Sequence, residues 1–315
     1  MSDPRLPPPL RPGDGVSLVA PASSPSAKEF QRAVETLADA GYRPKTYRDV
    51  CDAHGYLAGT DDERVADLEA AFADPETRLV LAVRGGYGVA RILDRVDFGL
   101  LSANPKLVCG YSDLTALHAA VVSRCGLPAI HGPNLMAGIG DTSDAATHER
   151  RQWTRLASGE LSTGGALLPA ELASTTRTVT PGAATGPLVG GNLAVLVSLL
   201  ATRDQPSFDG AILLLEDTGE APYRIDRLLT QMRVSGLLGR LAGVVLGYFT
   251  DADPPSEVDR LIDEFFAPLG VPVLARFPSG HEHPNLPLPI GARVELDATE
   301  RRITLRQAIV AVATA

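Results

Sequence analysis

The 315-residue chain is 44% hydrophobic and 21% charged, a balance that fits one large or two medium globular domains and argues against a disordered polypeptide. Its 38 acidic against 29 basic residues leave a formal net charge of -9, so it lacks the phosphate-neutralising field of a nucleic-acid binder and is disfavoured at anionic membrane surfaces. Cys51, Cys109 and Cys125 show no Cys-x-x-Cys spacing, which argues against a disulfide framework and a structural zinc site.

The proline-rich residues 1–10 lack the apolar stretch of a secretory signal, and runs such as 193–200 break long before membrane-spanning length. A soluble, cytoplasmic protein is the expectation. Residues 15–20 form a short apolar run read as a buried strand, and Ser23-Ser-Pro-Ser26 opens a helical pattern over 27–40 that stops at Gly41. Residues 43–47 predict a second strand. Thr60-Asp-Asp-Glu63 has the form of a capping box, with Val65, Leu68, Ala71 and Phe72 on one face of the helix it opens. Residues 79–83, 106–110 and 128–131 read as strands, with a short helix around Ala90–Leu93 and a longer one over 113–122. Strands alternating with helices mean a parallel sheet covered on both faces.

Between about 138 and 186 the chain is rich in Ala, Ser, Thr and Gly, with weak periodicity; 151–185 reads as a linker. An α/β nucleophile domain over 1–150 and a second domain over 186–315 follow. The second holds an apolar helix (193–201), a strand (211–215) ending in Glu216-Asp217, and a helix over 223–235. Beyond these lie a strand at 243–247, a helix at 256–266, a strand at 271–274 and a terminal hairpin from 294–296 and 303–305.

Four places can carry chemistry. In Gly110-Tyr-Ser-Asp113 a serine stands between a strand end and a helix start, the layout of a nucleophile elbow, although Leu114 occupies the second glycine's place. The N–H of Asp113 would then face a developing oxyanion; equally, Ser112 or Asp113 is a helix N-cap. Arg84-Gly-Gly-Tyr-Gly88 follows a strand and can present N–H groups to an anion, or simply turn the chain; it lacks the order of a P-loop or dinucleotide loop. Glu216 ends an apolar strand, where α/β sheets place functional carboxylates, with Asp217 and Glu220 as competitors. Among the six histidines, His281 and His283 lie in the loop Ser279-Gly-His-Glu-His-Pro-Asn285, His131 ends a strand, and His118 falls inside a helix as a packing or surface residue. A serine needs a base, and the base a carboxylate to fix its tautomer; Ser112, Glu216 and His281 supply these types in chain order.

With these motifs the chain resembles the LD-carboxypeptidases, the serine peptidase family that includes murein tetrapeptide carboxypeptidases and microcin C immunity peptidases. The likeness runs from Gly13-Asp-Gly-Val-Ser-Leu-Val-Ala-Pro21 through Arg84-Gly-Gly-Tyr-Gly88, Arg91-Ile-Leu-Asp94, Gly110-Tyr-Ser-Asp113, His131-Gly-Pro133, Gly190-Gly-Asn-Leu193, Leu215-Glu-Asp217 and Gly280-His281 to Leu286-Pro-Leu-Pro-Ile-Gly291. It implies an N-terminal flavodoxin-like parallel sheet and a C-terminal swivelling β/α domain, with the site in the groove between. It implies Ser112 as nucleophile, His281 as general base, Glu216 as its orienting carboxylate, and an oxyanion hole from the N–H groups of Gly86 and Asp113. His283 departs from the pattern, leaving two histidines for one role. Hydrolysis of the L,D-amide that releases D-alanine from cytoplasmic murein tetrapeptide is implied, in a homodimer without cofactor; a metal on His281 and His283 is disfavoured separately, because no third and fourth ligand has matching spacing. Arg84 is the candidate for the terminal carboxylate, with bracing of the glycine loop as its rival role. The alternatives are cleavage of a peptidyl-adenylate analogue, for which Trp153 would be the one stacking surface, and a non-catalytic relative that holds a small anion.

Overall fold

The computed structural model describes residues 6–311. In chain order the first half contains β1 (Gly15–Val19), α1 (Ala27–Asp39), β2 (Arg43–Lys45), α2 (Asp61–Ala73), β3 (Thr77–Ala82), α3 (Phe98–Ala103), β4 (Leu107–Gly110), α4 (Thr115–Cys125), β5 (Ala129–His131) and α5 (Thr147–Ala157). The second contains β6 (Arg177–Thr180), β7 (Ala183–Asn192), α6 (Leu193–Ser198), β8 (Ile212–Thr218), α7 (Pro222–Val234), β9 (Gly243–Thr250), α8 (Pro255–Phe266), β10 (Val273–Ala275), β11 (Leu288–Ile290), β12 (Arg293–Asp297) and β13 (Arg302–Leu305).

The helix and strand alternation pairs β2, β1, β3, β4 and β5 in parallel, as expected for apolar strands buried on both faces. The Thr60 capping box forms: its hydroxyl accepts from the Glu63 N–H and its own N–H donates to the Glu63 carboxylate at 2.7 Å. The sixth strand of this sheet arrives from far along the chain. β11 pairs antiparallel with β5, Leu288 opposite His131, giving the order β11-β5-β4-β3-β1-β2. The second sheet has the order β13-β12-β7-β8-β9-β10-β6, parallel through β7, β8, β9 and β10 and antiparallel at both margins.

The two sheets share one core. Leu81, Cys109 and Ile130 of the first sheet lie in the same buried cluster as Leu188, Ile212, Leu214, Val245 and Leu274 of the second. Separate clusters fill the outer faces, around Phe72, Val108 and Leu117 in the first half and around Leu213, Leu229 and Phe266 in the second. The stretch 151–185 contributes to both halves. Trp153 and Leu156 of α5 are buried in the shared core, and β6 closes one edge of the second sheet.

Local details differ from the periodicity reading. β2 ends at Lys45 instead of residue 47, because Tyr47 turns inward to bond Ser17 Oγ and Asp74. The helix α3 has only six residues, too few for a periodic signal, and is announced solely by its Asp97 cap. The turn after the glycine loop, Val89–Arg91, is a single 3-10 turn.

Candidate active site

The serine is set by a backbone that few residues adopt. β4 ends at Gly110, Tyr111 is extended, and Ser112 then takes φ 64° before a 3-10 turn, Ser112–Leu114, runs into α4. A left-handed serine costs on the order of 1–3 kcal/mol, a strain that clusters at functional sites. Leu114, in the place of the elbow's second glycine, packs against the first. A Cβ at Gly110 would lie 2.9 Å from Leu114 Cγ, so the leucine packs into the space that the first glycine leaves.

The glycine loop passes against this serine. A Cβ at Gly85 would stand 3.0 Å from Ser112 Cβ and 3.3 Å from its Oγ. Gly86 has φ 130°, and a Cβ there would fall 2.2 Å from Ser23 Oγ. Two side chains brace the loop. The Asp113 carboxylate accepts the Val89 N–H at 2.8 Å, and burial pushes its carboxyl up to about 6. Arg64, wholly buried, donates to the Gly88 carbonyl at 2.8 Å and to the Pro21 carbonyl, and is itself held by Asp61. Arg84 is exposed, donates to the Ser24 carbonyl at 3.3 Å and lines the cavity beside the serine.

Glu216 comes from β8, which runs through Glu216 and Asp217 to Thr218 instead of stopping before them. It faces a bulge: Leu215 pairs with Leu246 and Asp217 with Phe249, leaving Gly247 and Tyr248 opposite the one glutamate. Its carboxylate is 0% exposed and receives His281 Nδ1 at 2.7 Å. Gly280, at φ 121°, allows this approach, since a Cβ there would meet Glu216 Oε2 at 2.8 Å. The competitors are occupied elsewhere. Asp217 accepts from Asn192 Nδ2, Ala194 N–H and Thr218 N–H, and Glu220 pairs with Arg224.

The two loop histidines separate by partner. His281 bonds Glu216, whereas His283 bonds Glu149 through Nδ1 at 3.0 Å and lies 3.3 Å from Asp141 through Nε2. The His281 ring packs edge-on against Tyr111, centroids 4.9 Å apart, which puts it beside the residue preceding Ser112. Ser112 and His281 both line one cavity of about 690 Å³, together with Arg84, Gly85, Gly86 and Asn134. No hydrogen bond joins the Ser112 hydroxyl to His281 among the described residues; their meeting point is this shared wall. A second cavity of about 950 Å³, bordered by Tyr248, Asp251 and Glu282, also reaches His281.

His131 does not line the cleft. It is buried behind Tyr111 and next to His118, and among the described residues none of the four ring nitrogens of this pair has a hydrogen-bond partner. Burial holds His118 down at about 3 and His131 well below its ordinary value. Trp153 is buried edge-on against Tyr42 and offers no surface to a ligand. Sequence reasoning missed Tyr111, Arg64, Glu149 and Asn285. Each acts through contacts with residues distant along the chain, and only the position of Tyr111 next to Ser112 carried any signal.

A chemistry follows from this geometry. A buried carboxylate on Nδ1 fixes the imidazole tautomer and leaves Nε2 to exchange a proton, and a strained serine beside a glycine loop borders the same space. The sequence model of the LD-carboxypeptidase N-terminal domain matches residues 16–132, and that of the LD-carboxypeptidase C-terminal domain matches 185–296. The chain is 36% identical to a probable murein peptide carboxypeptidase of Bacillus subtilis over 310 residues, 95% of this chain and 94% of the relative. It is likewise 36% identical to a murein tetrapeptide carboxypeptidase of Pseudomonas aeruginosa over 302 residues, 93% of this chain and 96% of the relative. Among solved structures, muramoyltetrapeptide carboxypeptidase from Oxalobacter formigenes aligns with a TM-score of 0.76 at 27% identity, covering 92% of this chain and 97% of that one. The microcin C7 self-immunity protein MccF in complex with glutamyl sulfamoyl guanosine aligns with a TM-score of 0.89 at 22% identity, over 98% of this chain and 100% of that one, a likeness of fold.

Proposed function

This chain belongs to the LD-carboxypeptidase family and is a peptidase of that family, and from that premise we propose that it hydrolyses the L,D-amide releasing terminal D-alanine from murein tetrapeptide, by a Ser112-His281-Glu216 triad. The observation that carries the reading is the 2.7 Å bond from His281 Nδ1 to buried Glu216, with the imidazole and Ser112 on one cavity wall.

Ser112 Oγ attacks the amide carbonyl as His281 Nε2 takes its proton, and the N–H groups of Gly86 and Asp113 receive the oxyanion. Collapse breaks the C–N bond, and the imidazolium returns the proton to the departing D-alanine amine. Water, deprotonated by His281, then attacks the acyl-enzyme; the tripeptide leaves as a carboxylic acid and Ser112 recovers its hydrogen. Arg84 and Arg32 line the cavity and can meet the terminal carboxylate of the substrate. The rival substrate, a peptidyl-adenylate analogue, finds no stacking platform in Trp153, which is buried in the core. The reading includes a cytoplasmic homodimer that needs no cofactor. Its support is the family resemblance; among the described residues no helix is long and apolar enough to cross a membrane.

Incubation with synthetic murein tetrapeptide, followed by mass spectrometry, tests the reaction. Loss of one alanine is expected, unaffected by a chelator. Ser112→Ala should abolish the release while leaving circular dichroism unchanged; full activity in that variant removes Ser112 from the mechanism.

A further inference from the structure

Glu216 fixes the catalytic imidazole relative to the second sheet, but Ser112 belongs to the first. Transfer of a proton between them requires that the His281 loop also be held against the half carrying the serine. We propose that Glu149 of α5 does this, as a positioning residue that ties the His281 loop to the first half of the molecule through Asn285; the proposal rests on the triad read above.

The tie can be followed bond by bond. Glu149 is 0% exposed, and its Oε2 accepts the Asn285 N–H at 2.5 Å as well as His283 Nδ1 at 3.0 Å. The Asn285 side chain in turn closes the loop, its Oδ1 accepting from Gly280 N–H at 2.9 Å and lying 3.4 Å from Ser279 Oγ. Leu286 N–H donates to the Pro278 carbonyl at 2.8 Å across the same neck. His281 is the residue directly after Gly280. The segment 278–287 is therefore a loop pinched at its base, leaving the second sheet after β10 and entering the first at β11, and Glu149 is bonded to the pinch.

A carboxylate is an expensive way to fill such a place. Burial raises the Glu149 carboxyl above its ordinary value, and its Oε1 has no hydrogen-bond partner among the described residues. An apolar side chain of similar size would pack there without that penalty, yet it could not hold the Asn285 N–H. What the carboxylate supplies is directional: two acceptor contacts on one oxygen that set the height of the loop over the first sheet.

Misplacement of a reacting group by about 1 Å can reduce turnover on the order of 100-fold. For Glu149→Ala, kcat for D-alanine release is expected to fall about 10- to 100-fold with KM within about twofold, since Glu149 itself does not line the cavity and the arginines offered to the substrate carboxylate stay in place. Glu149→Gln keeps an oxygen acceptor for Asn285 and should recover kcat to within about fivefold of wild type. Asn285→Ala should match Glu149→Ala, and the double variant should be no worse than either, because both break one chain of bonds. A second readout avoids the substrate: a fluorophosphonate phosphonylates Ser112 Oγ with loss of fluoride, His281 taking the hydroxyl proton. Its rate at Ser112 should drop in Glu149→Ala in proportion to kcat. Three results would overturn the proposal: unchanged kcat and labelling in Glu149→Ala, a rise in KM alone, or a loss that glutamine fails to rescue. Should Glu149→Ala not fold, Asn285→Ala and Glu149→Gln carry the same comparison. Wild-type protein that labels at Ser112 but releases no D-alanine defeats the substrate reading and leaves labelling to decide the role of Glu149.

Discussion

Replacing Glu216 by glutamine changes one atom of a fully buried side chain and probes the tautomer of His281 directly. In the native site one carboxylate oxygen receives His281 Nδ1 at 2.7 Å, and the other, Oε1, has no hydrogen-bond partner among the described residues. An amide must choose. With its oxygen toward Nδ1 it preserves the tautomer but puts a buried NH2 in the place of Oε1, a donor that costs about 1–3 kcal/mol where it goes unsatisfied. With its NH2 toward Nδ1 it satisfies itself and forces the proton onto Nε2, so the imidazole can no longer accept from Ser112. Either orientation also removes the charge that stabilises the imidazolium. In a serine triad the wrong tautomer lowers kcat by about 10⁴, equivalent to roughly 5.5 kcal/mol at about 1.36 kcal/mol per decade. We therefore expect Glu216→Gln to reduce kcat for D-alanine release by about 10³- to 10⁴-fold, with KM within about threefold and the thermal midpoint little changed. Steady-state kinetics with a coupled D-alanine assay measures this, and differential scanning calorimetry checks the fold. A folded variant with kcat within about threefold of wild type would show that the carboxylate does not govern the base, and the triad would have to be abandoned.

Gly86→Ala should lower kcat/KM by about 10²- to 10³-fold, the usual effect of displacing one oxyanion donor, because the new Cβ at φ 130° would press on Ser23 Oγ. Adding Ser23→Gly removes that clash but leaves the backbone strain, so the double variant should recover only part of the loss. The buried histidines predict a pH effect on stability. His118 is held at about 3 while the unfolded chain titrates near its ordinary 6.5, so acidification within that window protonates only the unfolded state and destabilises the fold. Asp113 and Asp217, raised by burial to about 6, act in the opposite direction between pH 6 and 4, which makes the difference between two proteins the useful measurement. His118→Leu should lose stability on acidification less steeply than wild type, by about 1.4 kcal/mol per pH unit from pH 6 to 4 in urea titrations. Parallel curves for the two proteins would contradict a neutral buried imidazole.

Much of this molecule can be read from local chemistry. The parallel strands β1, β3 and β4 are built on short, mostly apolar runs, the Thr60 capping box announces α2, and Gly110-Tyr-Ser112 marks a strand-to-helix turn, because in each case neighbours along the chain determine the outcome. Other features depended on residues far apart. Three apolar residues, Leu288–Ile290, become a strand of the first sheet only because β5 has a free edge; no pattern in so short a stretch says which sheet it joins. The two loop histidines share Glu282 as a neighbour, and only the glycine before His281 and the proline after His283 set them apart locally. Their partners distinguish them: Glu216 lies 65 residues from His281, and Glu149 lies 134 residues from His283. Residue types and spacing specify which chemical groups the chain can offer. Which of them face one another depends on the shared core of the two sheets, since packing against distant side chains sets orientations that no window of sequence contains.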